Sequence, residues 1–420
     1  MSTTGTGTPV KLESDGGRCL YDQVDALRAA GPAVRIQLPE GVIAWSVSRG
    51  DVVKRLLTHP GVSRDARKSV PDYRPGEILW LATWVDLESM FTAEGSDHIR
   101  LRKLIAPAFT PRRTAAMRPA IERIVAARLD ALEKLPGDAP VDLRDGFCYP
   151  VPTRVICDLF GVPDAQRAAM LKVFDQVTPT DVTREESAAL GEGMTRVVRE
   201  LIEAKRREPG DDMTSLLLTA HEDDGDRLTE YELLSTLSLM IGAGGQTTIA
   251  LLGHAVRELL GSPAQLAAVL ADPARWGDVV EETLRLHPSV MHLPLHWAKE
   301  DIDLGEGVVI RAHDAILMAF GAHGRDPAVH DAPRIFDIDR ADKAHLAFGY
   351  GAHFCLGAQL ARLEAEVALP ALFSRFPGLA LAADPERLTP KRSFIGNDVQ
   401  ALPVWLNHGG TTAGRGAAHR

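Results

Sequence analysis

Apolar residues recur at three- and four-residue spacing along most of the chain, as expected of helices that each bury one face. From Leu104 to Leu135 the pattern is interrupted at Pro111 and Pro119, which predicts several pieces rather than one helix. Met194 to Glu208 predicts an amphipathic helix ended by Pro209-Gly210. Asp211 or Asp212 is then placed to cap a helix over Met213 to His221. The acidic run 222–226 predicts a solvated loop. From Thr229 to Leu260 one helical pattern continues without a break, long enough to cross the molecule at roughly 1.5 Å per residue. Val279 to His287 predicts a further helix, stopped by Pro288. Strand-like stretches follow at His296–Leu304, Val308–Arg311 and Ala315–Phe320. A last long helix runs from Leu356 to Phe376, with Leu356, Leu360, Leu363 and Val367 on one face. The predicted fold is mainly α, with a small β part in the second half. No repeat or long linker divides the chain. We expect one domain over residues 17–407, between flexible Gly/Thr/Ala-rich segments 1–16 and 408–420.

Composition narrows the function. Of 420 residues, 45% are hydrophobic and 25% charged, an ordinary globular balance. No uninterrupted apolar run approaches the ~18 residues of a membrane span, and the first residues lack the pattern of a signal peptide. The expectation is a cytoplasmic protein with no membrane partner. The 57 acidic and 47 basic residues give a net charge of −10, which argues against a nucleic-acid partner. The four cysteines, Cys19, Cys148, Cys157 and Cys355, form no C-x-x-C pair, which fits reduced thiols. His353 and Cys355 lack a second ligand pair at the spacing of a structural zinc site.

The most informative stretch is Phe348-Gly349-Tyr350-Gly351-Ala352-His353-Phe354-Cys355-Leu356-Gly357, read as F-G-x-G-x-H-x-C-x-G. Glycines at 349 and 351 permit positive φ and close approach to a flat ligand. Cys355 opens the last long helix, where free N–H groups and the helix dipole favour thiolate over thiol. A thiolate on such a loop suits the single axial ligand of a haem iron, tuned by neighbouring N–H groups.

Three further patterns accompany it. Glu282-Thr283-Leu284-Arg285 is E-x-x-R, whose i, i+3 spacing allows pairing on one helix face. His98 and Arg102, four apart, point at one target. The long helix carries Gly242-Ala243-Gly244-Gly245-Gln246-Thr247-Thr248, and each interior glycine costs about 1 kcal/mol against alanine. Such small residues let a large flat ligand approach the backbone and permit a local bulge.

Together these motifs resemble the cytochrome P-450 family of haem-thiolate monooxygenases, over about Leu20 to Leu406. The likeness is to soluble bacterial members that act on secondary metabolites or steroid-like molecules. The resemblance implies haem b lying between the long helix and the Cys355 loop, with Cys355 as iron ligand and Phe348 packed beside it. It implies cofactor contacts at Gly349, Gly357, Ala243 and Gly244. His98, Arg102, His296 and His353 match the positions that hold the haem propionates. Position 296 is usually Arg, so His296 departs from the pattern. Glu282 and Arg285 match a buried structural pair. Thr247 matches the threonine that organises dioxygen and water. The residue before it is usually an acid, and Gln246 cannot relay a proton as a carboxylate does.

Substrate contacts implied by the resemblance are Trp80, Trp84, Leu87, Met90, Leu239, Val290, Met291, Leu293, Phe394 and Ile395. They are mostly apolar, which fits a hydrophobic small molecule. The implied reaction inserts one atom of O2, with NAD(P)H-derived electrons delivered by a separate ferredoxin and ferredoxin reductase, since the chain shows no flavin, iron–sulfur or dinucleotide motif. Lys103, Arg112, Arg113 and Arg362 would form a basic docking face. Two alternatives stay open: the same site performing oxidative C–C or C–O coupling or using peroxide, and a non-catalytic haem-binding sensor.

Overall fold

Thr229 opens the central helix, Glu230–Gly261, with a capping box. Its hydroxyl accepts from the Glu232 N–H at 3.2 Å, and the Glu232 carboxylate accepts from the Thr229 N–H at 2.8 Å. The structure, a computed structural model, describes residues 8–12, 19–177, 180, 182–219 and 227–407. The helix is 32 residues long, about 48 Å at 1.5 Å per residue. It is long and apolar enough to cross a membrane, yet 67% of its most apolar window is buried inside the fold. Helices Pro150–Leu159, Arg184–Arg207, Trp276–Leu286 and Ala358–Arg375 pack around it.

Two apolar clusters divide this helix. Leu233, Leu237 and Ile241 pack with Met194, Val198 and Leu201. Ile249, Leu252, Val256 and Leu259 pack with Val279, Leu284, Leu363 and Leu369. Each fully buried aliphatic side chain contributes about 1.5–3 kcal/mol. Residues 242–248, the glycine- and threonine-rich stretch, fall between the two clusters.

Local chemistry explains most helix ends. Pro111 and Pro119 sit in the first turns of Pro111–Ala116 and Arg118–Glu133, so they start helices there. Asp212, not Asp211, caps Met213–Thr219, its Oδ1 accepting from the Ser215 N–H at 2.9 Å. Arg184–Arg207 begins ten residues before the periodicity predicted. Its first turns are polar and exposed, and a capping box of Thr183 and Glu186 sets the start. The acidic run 222–226 and the tail 408–420 lie outside the described residues, as do 1–7 and 13–16.

The β part is not confined to the second half. A six-stranded sheet runs in the order Val10–Lys11, Val34–Gln37, Ile43–Val47, Ala315–Ala319, His292–Ala298, Val62–Ser63. Four of these strands come from the first 63 residues, one of them inside the N-terminal segment expected to be flexible. Val34–Gln37 and Ile43–Val47 form a hairpin whose turn holds Glu40 and Gly41 at positive φ. These short runs carried no clear alternation. Around 296–304 a turn separates His292–Ala298 from Ile302–Gly305, which pairs with Val308–Ile310.

Beside the sheet, Glu282 and Arg285 form a bidentate pair at 2.7 Å, both fully buried. Arg285 also donates to the carbonyls of Gly324, Pro333 and Ile335, and Arg340 donates to Glu282 at 3.2 Å. The pair therefore fixes the segment that leads into the Cys355 loop. Arg340 was not singled out by the sequence.

Candidate active site

The loop before helix Ala358–Arg375 folds back on itself. Gly349 and Gly351 adopt φ of 73° and 76°, which favour glycine. The Cys355 N–H donates to the Phe348 carbonyl at 2.9 Å, and Gly349 N–H to Leu346 at 2.8 Å. Arg362 lies over the Phe348 ring at 4.6 Å. Gly357 keeps a negative φ, and its Cα face lies beside the Cys355 sulfur. The sulfur sits deep in the protein but open to a cavity. Burial pushes the thiol up, against the N–H of Gly357, the guanidiniums of Arg102 and Arg362, and the N–H of Ala358. The helix N-terminus thus acts in the expected direction but is outweighed. A cation bound at sulfur would add the missing positive charge, because a coordinating thiol is deprotonated. Cys148 and Cys157 are free, buried thiols in the core, and burial pushes Cys157 up to about 11.

A cluster of basic groups lies beside this loop. His98 and His353 rings are 4.1 Å apart, and Arg102 Nη2 donates to the Phe354 carbonyl at 2.9 Å. Arg64 joins them, its Nε donating to His296 Nε2 at 3.1 Å and its guanidinium over the Phe91 ring at 4.7 Å. Arg64, Arg102 and His353 line the cavity. His98 and His296 do not, standing behind them. His296 holds Arg64, which stands in front of it on the cavity wall. Among the described residues no carboxylate pairs with any of the five. Burial holds His98, His296 and His353 below the ordinary histidine range, with Arg64 or Arg102 adding to the effect, and burial brings Arg64 down to about 9. Two arginines without a carboxylate partner, with imidazoles beside them that can donate hydrogen bonds, fit a ligand with two carboxylates, as haem has.

Across the cavity the central helix presents Ala243 and Thr247 on one face. The Thr247 hydroxyl donates to the Ala243 carbonyl at 2.8 Å, leaving its lone pairs free to accept. Gln246 lines the cavity and donates its Nε2 to Asp175 at 2.8 Å. Gly244 touches the cavity wall, but its missing side chain is accounted for by packing. A Cβ there would lie 2.4 Å from Ile156 Cδ1, and one on Gly242 would lie 3.1 Å from Phe174. Side chains at 242 and 244 would thus crowd Phe174 and Ile156, so helix packing as well as a flat ligand favours glycine there.

The cavity, about 310 Å³, is largely apolar. Trp84, Leu87, Met90, Leu239, Val290, Leu293 and Ile395 line it, as expected. Trp80, Met291 and Phe394 do not. Trp80 donates its Nε1 to the Pro39 carbonyl and packs edge-on against the fully buried Phe394, and Met291 fills the space over Gly321. These three are core residues. The sequence reading missed Arg64, Glu364, Lys391 and Asp398, which bring polar groups to the wall. Glu364 is buried with Oε2 unpartnered, and burial drives its carboxyl well above the usual range. On the outer face Lys103, Arg112 and Arg113 are exposed, whereas Arg362 is tied to Glu281 at 2.5 Å.

Comparison with known proteins agrees with this geometry. The family profile of cytochrome P-450 matches residues 277–395, which include the E-x-x-R helix and the Cys355 loop. The 2-hydroxy-5-methyl-1-naphthoate 7-hydroxylase of Streptomyces carzinostaticus is 42% identical over 95% of this chain and 97% of its own. The structure of CYP154A1 from Streptomyces coelicolor superposes with a TM-score of 0.89 at 46% identity, covering 95% of this chain and all of that one. Testosterone-bound CYP154C4 from a Streptomyces species gives 0.91 at 37% identity, covering 96% and 99%. Likeness of this extent, together with a cysteine loop facing a threonine-bearing helix, makes the protein a member of the cytochrome P-450 family, a haem b monooxygenase of the bacterial type.

Proposed function

We propose that the protein hydroxylates an apolar small molecule, a steroid-like or aromatic secondary metabolite, with electrons delivered by a ferredoxin and its reductase. The observation that supports this most is the arrangement of Cys355, Thr247 and the basic cluster around one apolar cavity. Relatives named as a naphthoate hydroxylase and a testosterone-bound protein favour flat, largely apolar substrates.

In this reading Cys355 would hold the haem iron through its sulfur, the thiolate charge supported by the Gly357 and Ala358 N–H groups at the helix N-terminus. Arg64, Arg102 and His353 take the two carboxylates, with His98 and His296 behind them. When bound, haem supplies the redox chemistry that activates dioxygen. Thr247, with its own proton committed to the Ala243 carbonyl, accepts hydrogen bonds from waters in the cavity. Trp84, Leu87 and Leu293 exclude bulk water and hold the substrate by apolar contact. Lys103, Arg112 and Arg113 offer exposed positive charge to an acidic ferredoxin, an encounter that salt would weaken.

The test is turnover of a panel of steroids and hydroxy-aromatic acids with NADPH, a surrogate ferredoxin and its reductase under labelled dioxygen. The expected product carries one labelled oxygen atom. Coupled products without inserted oxygen, or turnover on peroxide alone, would instead support the alternative use of the same site. Ligand binding without any NADPH consumption would support a sensor.

A further inference from the structure

The cluster around Arg64 and Arg102 is one polar region of the cavity, and a second stands on the wall at Lys391 and Asp398. These two lie in a hairpin where Pro390 bridges Val399 and the Lys391 N–H donates to the Asp398 carbonyl at 2.8 Å. Their side chains are only loosely joined. Nζ lies 3.7 Å from Asp398 Oδ2, beyond hydrogen-bonding distance. That oxygen already accepts from Arg144 Nε at 3.1 Å and Nη2 at 2.8 Å. Asp175, also within electrostatic reach of Lys391, accepts from Gln246 at one oxygen and from Tyr149 at the other. Among the described residues the Lys391 ammonium donates no hydrogen bond. Its side chain is 29% exposed, so a ligand can reach it. The charges that act most on it are Arg144, Asp398, Asp175 and Asp145, and none of these belongs to the cluster around Arg64. Burial and the Arg144 guanidinium hold its pKa below the ordinary lysine value, and a carboxylate brought beside it would push the other way.

We propose that Lys391 anchors a carboxylate of the substrate, which makes the substrate an apolar ring system bearing an acid group. The inference deepens the monooxygenase reading and rests on it for the ligand being a substrate. The apolar wall of Trp84, Leu87 and Leu293 suits the rings, while a carboxylate taken from water into such a wall needs a charged donor. Lys391 offers N–H groups that the protein itself leaves unused, and a charge-assisted bond is the strong kind. The carboxylates of haem go to Arg64, Arg102 and His353, so this ammonium stays available. Asp398 faces the same wall, but Arg144 already meets its charge. Lys391 therefore sets which molecules bind and takes no part in the bond-making steps.

The experiment measures Kd for 2-naphthoic acid and for its methyl ester by equilibrium dialysis against the holoenzyme, Lys391→Met and Lys391→Arg. Haem content and melting midpoint check that each variant folds. Wild type should bind the acid at least about ten-fold more tightly than the ester, the worth of one charged hydrogen bond. Lys391→Met keeps the length of the side chain and removes the charge, so the preference should vanish while the ester Kd stays within two-fold. Lys391→Arg should keep the preference for the acid. Wild type that binds the acid no more tightly than the ester overturns the proposal. So does a preference that survives in Lys391→Met, or in Lys391→Gln should the former not fold. Turnover of the acid under labelled dioxygen is read separately. A preference for the acid without any oxygenated product overturns the monooxygenase reading and leaves the carboxylate anchor standing.

Discussion

Arg64 Nε donates to His296 Nε2 at 3.1 Å, joining the residue after a short edge strand to the neighbouring strand across 232 residues. The bond fixes the histidine tautomer. Nε2 accepts, so Nδ1 carries the proton, and that atom is buried without a partner. The pair places a guanidinium where the sequence pattern led us to expect arginine at 296 itself.

Arg64→Ala therefore removes a cation from the carboxylate end of the site. Haem transfer to apomyoglobin should accelerate about ten-fold or more, the worth of one charged hydrogen bond. An unchanged rate would assign the grip to Arg102 and His353 alone. His296→Arg sets a second buried guanidinium against the first. It should lower the melting midpoint of the apoprotein more than that of the holoprotein, and equal losses would contradict the pairing.

Gly244→Ala tests why the central helix carries glycine. A Cβ would stand 2.4 Å from Ile156 Cδ1, so overpacking of about 1–3 kcal/mol should outweigh the gain in helix propensity. Ile156→Val lacks that methyl group and should restore stability in the double variant, read by urea unfolding. Failure to rescue would mean that something other than Ile156 excludes a side chain.

How much of this was legible beforehand depended on range. The Cys355 loop and the E-x-x-R pair are local patterns. Arg64 and Asp175 act across 232 and 71 residues, and no spacing announces such contacts. Trp80, Met291 and Phe394 were as apolar as true cavity residues. Only their packing shows that they face the core. The first-half strands are short, and neighbours rather than their own alternation define them.

Glu282→Gln leaves Arg285 and Arg340 without their buried carboxylate. Breaking such a pair costs about 3–5 kcal/mol. The urea midpoint of the variant should fall accordingly, and its haem content should fall with it as the 325–348 segment loosens. A loss under about 1 kcal/mol would show that the pair is solvated in solution.

Acid sensitivity should trace in part to His292. Its Nδ1 contacts the Phe394 carbonyl at 2.7 Å, Nε2 has no partner, and burial holds it down to about 4. The folded state then binds fewer protons than the unfolded chain below about pH 6.5. Stability should fall between about pH 6.5 and 4, by up to about 1.4 kcal/mol per pH unit, and this contribution should be constant above that window. His292→Gln should flatten the slope of melting midpoint against pH in that window alone. An identical slope would place the titration elsewhere.

The central claim is that Cys355 holds a haem iron as thiolate, and the reduced, carbon-monoxide-bound difference spectrum tests it most directly. The purified protein should show a Soret band at about 450 nm, and Cys355→Ser should abolish it. A wild-type band at about 420 nm, or an unchanged band in Cys355→Ser, would contradict the assignment.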